Sequence, residues 1–254
     1  MAKVIAVANQ KGGVGKTTTS INLSSCVAYR GKRVLLIDLD PQGNATTGLG
    51  VEKKEMQKSI YDVIINEVSF KDVTLKTVQE TMDLCPSSIS LAGAEIELVG
   101  LLSRENRLKY AISEIEDDYD YIFIDCPPSL GLLTLNALTA ADTVLVPIQC
   151  EYFALEGLSQ LMDTVRLVQK HLNRNLKVEG VVLTMFDART NLSIEVAEEV
   201  RKHFTNKVYQ TLIPRNVRLS EAPSYGLPII LYDKDSKGAE AYLNLADELI
   251  SVSK

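Results

Sequence analysis

The feature that most constrains the fold of this chain is a glycine-rich loop at residues 10–18, Gln-Lys-Gly-Gly-Val-Gly-Lys-Thr-Thr. The apolar, β-branched residues 3–9 before it predict a buried strand. Residues 17–29 after it place apolar side chains at helical spacing, and Gly31 can end that helix. The glycines let backbone N–H groups turn inward, and a helix N-terminus attracts anions. Strand, loop and helix together therefore predict a phosphate-binding loop, or P-loop.

Two side chains in the loop carry the predicted chemistry. Lys16 is placed to reach the β- and γ-phosphates of a nucleotide, and the Thr17 hydroxyl is placed to ligate Mg²⁺. The alternative is a glycine-rich turn between strand and helix, with a lysine that faces solvent. The residues predicted to wrap the phosphates are Gly12, Gly13, Val14, Gly15, Lys16, Thr17 and Thr18.

The start of the loop departs from the usual P-loop pattern. Gln10 stands where the first glycine would be, and a second lysine, Lys11, follows it. This arrangement resembles the deviant Walker A motif, in which such a lysine reaches across a dimer to the partner's nucleotide. The alternative interpretation of Lys11 is an exposed cation on a loop.

Carboxylates follow two more predicted strands. Residues 32–38 end in Asp38, with Asp40 two positions later, and residues 119–125 end in Asp125. In an open α/β sheet such carboxylates face the ligand crevice at the carboxyl ends of the strands. Asp125 after a P-loop is the Walker B arrangement, in which the carboxylate holds Mg²⁺ directly or through water. For Asp38 or Asp40 taken alone, the alternative is a residue that caps a turn.

The rest of the chain alternates predicted strands and helices. Strands are predicted at 82–86, 143–148, 178–184 and 208–213, and helices at 59–64, 92–116 (one or two), 155–171, 191–204 and 239–252. With 254 residues, 46% of them hydrophobic, the chain is long enough for one α/β domain with a large core. We expect a single-domain P-loop NTPase fold over residues 1–254, with a mostly parallel, twisted sheet and helices on both faces.

Composition argues against several other kinds of protein. No apolar run approaches 18 residues, so we expect no transmembrane helix, and the strand starting at Lys3 leaves no room for a signal peptide. The four cysteines are widely spaced without a C-x-x-C motif, which predicts reduced thiols rather than a metal or iron–sulfur site. His171 and His203 belong to no recognisable catalytic motif.

The charge of the chain is unevenly spread. A net charge of −6 argues against broad nucleic-acid binding. Residues 161–220, however, hold ten Lys/Arg against six Asp/Glu, a net charge of +4, so the remaining chain carries −10. A localised basic face is one interpretation, and solvated helices of mixed charge are the other.

Four motifs together resemble the ParA/Soj family of chromosome- and plasmid-partitioning ATPases. They are the loop at 10–18, Asp-Leu-Asp-Pro-Gln-Gly-Asn at 38–44, Asp-Cys-Pro-Pro-Ser at 125–129, and Ile-Pro-Arg-Asn-Val-Arg-Leu-Ser-Glu-Ala-Pro-Ser-Tyr-Gly at 213–226. The resemblance spans nearly the whole chain. Because the P-loop begins almost at residue 1, the resemblance is to the short, chromosomal type without the N-terminal DNA-binding domain of larger plasmid relatives.

The resemblance implies ATP hydrolysis in a homodimer, with ATP and Mg²⁺ as cofactors. Lys11 would contact the partner's nucleotide in a face-to-face dimer, and Lys16 would contact the phosphates of its own subunit. Asp40 would position or activate the attacking water. Turnover would be slow without a partner, so that ATP holds the dimer together and hydrolysis times its release.

The resemblance also implies roles for residues around the nucleotide. Thr17, Asp38 and Asp125 would support the Mg²⁺ shell. Pro214 and Asn216 match the segment that contacts adenine in the family.

Further from the nucleotide, Arg189 and Arg218 match arginines that bind double-stranded DNA non-specifically on the ATP-bound dimer, and solvated surface arginines are the alternative. The implied partner is a centromere-binding ParB-type protein, and the implied location is cytoplasmic and nucleoid-associated, without a membrane.

Three other functions share part of this pattern. A MinD-like, membrane-associated division-site ATPase has the deviant loop but needs a basic amphipathic C-terminal helix, whereas residues 241–254 carry two acids and a single terminal lysine. A nitrogenase-iron-protein-like reductase needs cysteines that bridge a cluster, and Cys126 and Cys150 do not match that arrangement. A non-hydrolysing regulator would be indicated by loss of Asp40 or Lys16, and both are present.

Overall fold

The structure, a computed structural model, describes residues 1–52, 54, 56–151, 154–205 and 207–252. Within these residues no helix is long and apolar enough to cross a membrane. The four cysteines are buried free thiols.

Seven strands of the described chain form one sheet in the order β3-β4-β2-β5-β1-β6-β7. Neighbouring strands are parallel, except that β3 is antiparallel to β4 at one edge. The strands are β1 (Lys3–Val7), β2 (Val34–Asp38), β3 (Leu75–Lys76), β4 (Met82–Cys85), β5 (Tyr121–Asp125), β6 (Thr143–Gln149) and β7 (Lys177–Thr184).

Helices cover both faces of this sheet because successive strand residues point to opposite sides. Ile5 and Val7 pack toward one group of helices (α1, α2, α9, α10 and α11), whereas Val4 and Ala6 pack toward the other (α3 to α8). The predicted fold class is therefore confirmed. The helices are α1 (Lys16–Tyr29), α2 (Asn44–Gly48), α3 (Ile60–Asn66), α4 (Leu91–Leu98), α5 (Arg107–Ser113), α6 (Leu132–Ala140), α7 (Ala154–His171), α8 (Asn191–His203), α9 (Val217–Glu221), α10 (Ile229–Tyr232) and α11 (Lys237–Val252), with 3₁₀ turns at Phe70–Asp72 and Ala222–Tyr225.

The strand predicted at 208–213 is wrong. This segment runs beside β7 but pairs with it through an isolated bridge between Val181 and Val208. The N–H groups of Gln210 and Thr211 donate to the carboxylate of Glu248 in α11 rather than to a neighbouring strand. A side chain thus interrupts the ladder, which periodicity along the chain does not reveal.

Two left-handed glycines bring two loops into backbone contact. Gly50 (φ +79°) follows α2, and Gly226 (φ +66°) ends the 3₁₀ turn Ala222–Tyr225. A Cβ placed on Gly226 would stand 2.5 Å from the Cα of Gly50, closer than real side chains approach. The loops therefore meet at a distance that glycine alone permits.

Candidate active site at the P-loop

The site lies at the carboxyl edge of the sheet, where the ends of β1, β2 and β5 stand side by side. Parallel pairing puts Asp38 opposite Asp125. The P-loop leaves β1, which pairs with β5 on the side away from β2, and enters α1. It turns at Gly13 (φ +74°) and Gly15 (φ +86°). The predicted convergence of P-loop and carboxylates is confirmed.

Hydrogen bonds to β6 and β7 anchor the loop. The Asn9 amide donates to the carbonyl of Pro147 at 2.8 Å, and its Oδ1 accepts from the N–H of Lys11 at 3.0 Å. The Thr184 hydroxyl donates to the carbonyl of Val14 at 2.8 Å. Both ends of the loop are thus fixed to the sheet, which leaves the backbone between them preformed for an anion.

Lys16 is nearly buried at the base of the loop, with 7% of its surface exposed. Its Nζ donates to the carbonyl of Lys11 at 3.1 Å. Burial lowers the pKa of Lys16, and the opposite charges of Asp125 and Asp40 oppose that shift. A polyphosphate would offset the desolvation of this ammonium group, because opposite charge favours the charged form.

A cavity of about 360 Å³ opens above Lys16. Asp40 and Thr17 face it together with the loop, so the structure brings these predicted residues together. The lining residues are Gly12, Gly13, Gly15, Lys16, Thr17, Thr18, Asp40, Gln42, Asn44, Pro128 and Met185.

Asp38 is fully buried and already engaged by the protein. Its Oδ2 accepts from the N–H and the hydroxyl of Thr46, both at 2.7 Å, and its Oδ1 accepts from the N–H of Asp40 at 3.2 Å. Ser87 extends this network, since its hydroxyl donates to the carbonyl of Asp40 at 2.7 Å. Burial raises the pKa of Asp38, and the bonds from Thr46 oppose that rise. Asp38 thus fixes the segment that presents Asp40.

The two carboxylate oxygens of Asp125 differ in their hydrogen bonding. Its Oδ1 accepts from the hydroxyl of Ser20 at 2.8 Å, whereas its buried Oδ2 has no hydrogen-bond partner among the described residues. Burial, and then the charge of Asp38, raise the pKa of Asp125. The nearby Thr17 hydroxyl favours the charged form, although it makes no hydrogen bond with Oδ2.

These features fit Mg²⁺. An orphaned carboxylate oxygen and a hydroxyl beside a phosphate loop form the sparse protein shell that this ion takes when phosphates and water supply its other ligands. Within the described residues, no group of three or more His, Cys, Asp or Glu side chains forms a self-sufficient metal site. Thr17 and Asp125 are therefore placed to hold this ion, whereas both oxygens of Asp38 are already hydrogen-bonded, and the metal roles of all three stay predictions.

A second cavity of 350 Å³ adjoins the first, and the two share Gly15, Thr18 and Met185. Pro214 and Asn216 line it, as expected for a segment that faces a bound nucleotide. Sequence reasoning missed Thr184, Met185 and Tyr242, which also line it. Tyr242 comes from α11 at the other end of the chain, so no local pattern could have identified it.

Ser20 was also missed, although a signal was present. It lies one helical turn after Lys16, and its hydroxyl donates both to the carbonyl of Lys16 and to Asp125. A hydroxyl at the fourth position after the P-loop lysine faces the same side of α1 as that lysine. Thr46 and Ser87 gave no such signal, since Thr46 reaches Asp38 from α2 and Ser87 reaches Asp40 from the loop after β4.

The side chain of Lys11 is directed toward the segment after β6. Its Nζ lies 3.7 Å from a carboxylate oxygen of Glu151. About a third of the Lys11 side chain is exposed, at 32%. Lys11 therefore pairs with Glu151 beside the cavity over Lys16, and it does not line that cavity.

Arg189, in the loop after β7, and Arg218, in α9, are both exposed. Phe186 pairs with Pro214, which joins the loop after β7 to the segment before α9. The guanidinium of Arg189 donates to both carboxylate oxygens of Asp187, at 2.8 and 2.7 Å. These hydrogen bonds hold the pKa of Asp187 well below its usual range.

Arg218 is also paired with acids. Its guanidinium lies 2.9 Å from Glu221 and 3.3 Å from Asp233. Arg189 and Arg218 are thus both exposed and both paired with carboxylates, and the basic face suggested by residues 161–220 stays a prediction.

Comparisons with known proteins now identify the family. A family model described as an AAA domain matches residues 2–178. The sporulation initiation inhibitor protein Soj of Bacillus subtilis (strain 168) is 65% identical over 249 residues, which cover 98% of each chain. The chromosome partitioning protein ParA of Myxococcus xanthus (strain DK1622) is 53% identical over 250 residues, covering 98% of this chain and 88% of its own. The chain belongs to the Soj/ParA family of chromosome-partitioning ATPases.

A solved structure supports the cofactors of this Soj/ParA protein. A Mycobacterium smegmatis protein named cobyrinic acid a,c-diamide synthase, with bound ATP analogue and magnesium, is 41% identical with a TM-score of 0.87. The match covers 98% of this chain and 95% of that one. The Soj/ParA chain thus has a P-loop ATPase fold, and a relative with this fold binds an ATP analogue and magnesium.

Proposed function

We propose that this chain is an ATP-dependent dimerising switch that drives chromosome or plasmid segregation. As the ATP-bound dimer it binds double-stranded DNA without sequence preference, and a ParB-type centromere-binding protein stimulates its slow hydrolysis. It associates with the nucleoid through that DNA binding. The Soj/ParA relatives support the partitioning role, and the site supports the following steps.

Hydrolysis in this proposal depends on positioning and charge rather than on covalent catalysis. Lys16 neutralises the β- and γ-phosphates, and the hydrogen bond from its Nζ to the carbonyl of Lys11 keeps its side chain in place. Asp40 orients the attacking water, and the Thr46 and Ser87 hydrogen bonds fix the backbone that carries it. Mg²⁺, held by Thr17 and the free oxygen of Asp125, neutralises charge on the phosphates when bound.

The nucleotide occupies both adjoining cavities in this proposal. The phosphates lie in the cavity over Lys16, and the base lies in the second cavity against Pro214 and Asn216. The shared residues Gly15 and Thr18 form the passage between them. In this proposal the segment near residue 214 belongs to the active site because it lines the second cavity.

The observation that carries the switch is the different placement of two lysines on one loop. Lys16 already supplies its own subunit's phosphate cavity, whereas the Lys11 ammonium stands at the rim beside Glu151. An ammonium at the rim can reach a nucleotide in a second subunit that docks there. Full charge neutralisation then requires a dimer, which makes ATP the ligand that holds two subunits together.

The DNA surface in this proposal comprises Arg189 and Arg218. Each is exposed, and the Phe186–Pro214 pairing joins the loop that carries Arg189 to the segment that leads into α9. Because the chain carries a net charge of −6, binding depends on this local patch and on its duplication in the dimer. Contacts to phosphates carry no sequence information, so binding is non-specific.

The packing of α11 argues against the MinD-like alternative. A helix that inserts in lipid must present its apolar face to the membrane. In α11 that face is buried in the protein core, and the buried residues include Tyr242, Leu245, Ala246 and Leu249. Binding to anionic vesicles is therefore not expected.

The test is the ATPase rate of the purified protein with non-specific DNA, with a ParB-type partner, with both, and with anionic vesicles. We expect the partner and DNA together to raise the rate well above the basal value, and vesicles to leave it unchanged. No response to DNA and partner would overturn the proposal, and stimulation by vesicles would favour the MinD-like function.

A further inference from the structure

The carboxylate of Glu248 binds the segment that leads into the second cavity. Its Oε2 accepts from the N–H of Gln210 at 2.9 Å, and its Oε1 accepts from the N–H of Thr211 at 2.8 Å. The Thr211 hydroxyl donates to the same Oε1. These donors lie just before Ile213, where the cavity wall begins. One side chain of α11 thus holds two consecutive amides of this segment.

The same helix is fastened to the P-loop helix α1. The hydroxyls of Tyr242 and Thr19 are hydrogen-bonded at 3.1 Å. At the far end of α1, the guanidinium of Arg30 donates to both carboxylate oxygens of Asp247, at 2.7 and 2.6 Å. Helix α11 therefore bridges the P-loop helix and residues 210–216.

Both ends of this bridge reach the second cavity. Tyr242 lines the cavity from α11, and Pro214 and Asn216 line it from the segment that Glu248 holds. On its other side the segment is tied to β7, since the N–H of Ile213 donates to the carbonyl of Leu183 at 2.9 Å. Between β7 and α11 the backbone of the cavity wall is thus held from two directions.

We propose that Glu248 is a positioning residue for the nucleotide. It fixes residues 210 and 211 and thereby the cavity wall at Pro214 and Asn216, and it does not itself touch the nucleotide. This inference rests on the proposed placement of the base in the second cavity. It assigns to the C-terminal helix a part in ATP and ADP affinity.

A carboxylate is required here because the two amides need two acceptor oxygens. Glutamine keeps the length and shape of the side chain but replaces one oxygen with an NH₂ group, which faces an N–H donor and cannot accept from it. At least one of the amides then loses its partner. Loss of a hydrogen bond to a charged acceptor corresponds to about tenfold in an equilibrium constant.

The test compares Glu248→Gln with the wild type in titrations with a fluorescent ATP analogue, with ADP and with tripolyphosphate, all with Mg²⁺. We expect the dissociation constants of both nucleotides and the KM for ATP to rise about tenfold. The kcat at saturating ATP and the affinity for tripolyphosphate should stay unchanged, because the P-loop is intact. This split separates positioning of the base from general damage to the fold.

The matched control is Asp247→Asn, one residue away on the same helix. It removes one negative charge and the pair with Arg30 but leaves residues 210–216 untouched. We expect wild-type nucleotide affinity for it. Thr211→Val, which removes one of the three hydrogen bonds and keeps the side-chain shape, should weaken ATP binding in the same direction by a smaller factor.

Three results would overturn the inference. They are wild-type ATP affinity in both Glu248→Gln and Thr211→Val, an equal loss in Asp247→Asn, or an equal loss of tripolyphosphate binding. Asn216→Ala separates this failure from that of the base placement. If it weakens ATP binding while Glu248→Gln does not, Glu248 alone is misassigned, and if neither does, the base lies elsewhere.

Discussion

Replacing Thr46 with valine tests the network that holds the carboxylates at the end of β2. The Thr46 hydroxyl donates to Oδ2 of Asp38 at 2.7 Å and accepts from the N–H of Ser87 at 2.9 Å. Valine keeps the shape of the side chain and the backbone N–H that also binds Asp38. The substitution therefore removes two hydrogen bonds and little packing.

The expected loss of stability follows from two groups that lose a hydrogen-bond partner, the Asp38 carboxylate and the Ser87 N–H. A hydrogen bond to a charged acceptor contributes about 1.5–3 kcal/mol, and a buried, unsatisfied N–H costs about 1–3 kcal/mol. Thr46 is fully buried, so water does not replace either bond. We expect Thr46→Val to lower the free energy of unfolding by about 3–5 kcal/mol. Its neighbour Thr47 is exposed and bonds carbonyls of its own helix, so Thr47→Val should cost about 0.5 kcal/mol or less.

The loss of stability caused by Thr46→Val should depend on pH, and the pKa of Asp38 sets its sign. Burial raises the pKa of Asp38 to about 6, above the value of an unfolded aspartate. Because its pKa is raised in the folded state, the contribution of Asp38 to the free energy of unfolding is fully present below the unfolded pKa. That contribution is lost as the pH rises through the folded pKa. Without the Thr46 hydroxyl the folded pKa rises further. Thr46→Val should therefore be more destabilising near about pH 8 than near about pH 5.

Urea unfolding of the wild type and both variants at these two pH values measures the effect. The reasoning would be refuted by an equal loss of stability at both pH values, or by a Thr47→Val variant as unstable as Thr46→Val. Either result would mean that the hydroxyl does not stabilise charged Asp38.

Three further predictions concern the reaction and DNA. Lys16→Ala should abolish productive ATP binding, since the phosphates lose their main protein counter-ion, and calorimetric titration with normal affinity would contradict the P-loop assignment. Asp40→Ala should bind ATP and accumulate an ATP-bound dimer, because water positioning is lost while binding survives; light scattering measures the dimer, and rapid turnover would remove Asp40 from the mechanism. Arg218→Glu should lower DNA affinity alike for all sequences and leave ATP binding intact. If a dimer presents about four arginines through Arg189 and Arg218, filter-binding assays should give a salt slope of log K on the order of −3 to −4, and unchanged affinity in Arg218→Glu would contradict this surface.

Local patterns were sufficient to predict the phosphate side of the site. A β-branched run before the loop and helical spacing after it gave β1 (Lys3–Val7) and α1 (Lys16–Tyr29) to within a few residues. The adjacency of Asp38 and Asp125 followed from a general property of parallel sheets, whose carboxyl ends share one edge. These predictions depend only on residues that are neighbours in sequence or on the fold class, and the sequence alone indicates both.

The remaining part of the site depends on contacts between distant residues. Helix α6 and the short edge strand β3 were not predicted, and residues 92–116 proved to hold two helices. Thr46 reaches Asp38 from the next helix, and Tyr242 reaches Thr19 across 223 positions. Glu248 turns a predicted strand into a loop by taking its N–H groups. In each of these cases one side chain makes the deciding contact with a residue outside its own segment. The periodicity of the sequence does not reveal which residue that is.

The contact between Gly50 and Gly226 has a consequence for how the site opens. Helix α2, before Gly50, begins at Asn44 on the phosphate side, and the turn before Gly226 contains Pro223 on the base side. Since the two backbones touch without side chains between them, an outward swing of one loop either carries the other or breaks their contact. The loops that border the two adjoining cavities are thus linked by a backbone contact that a side chain at Gly226 would push apart.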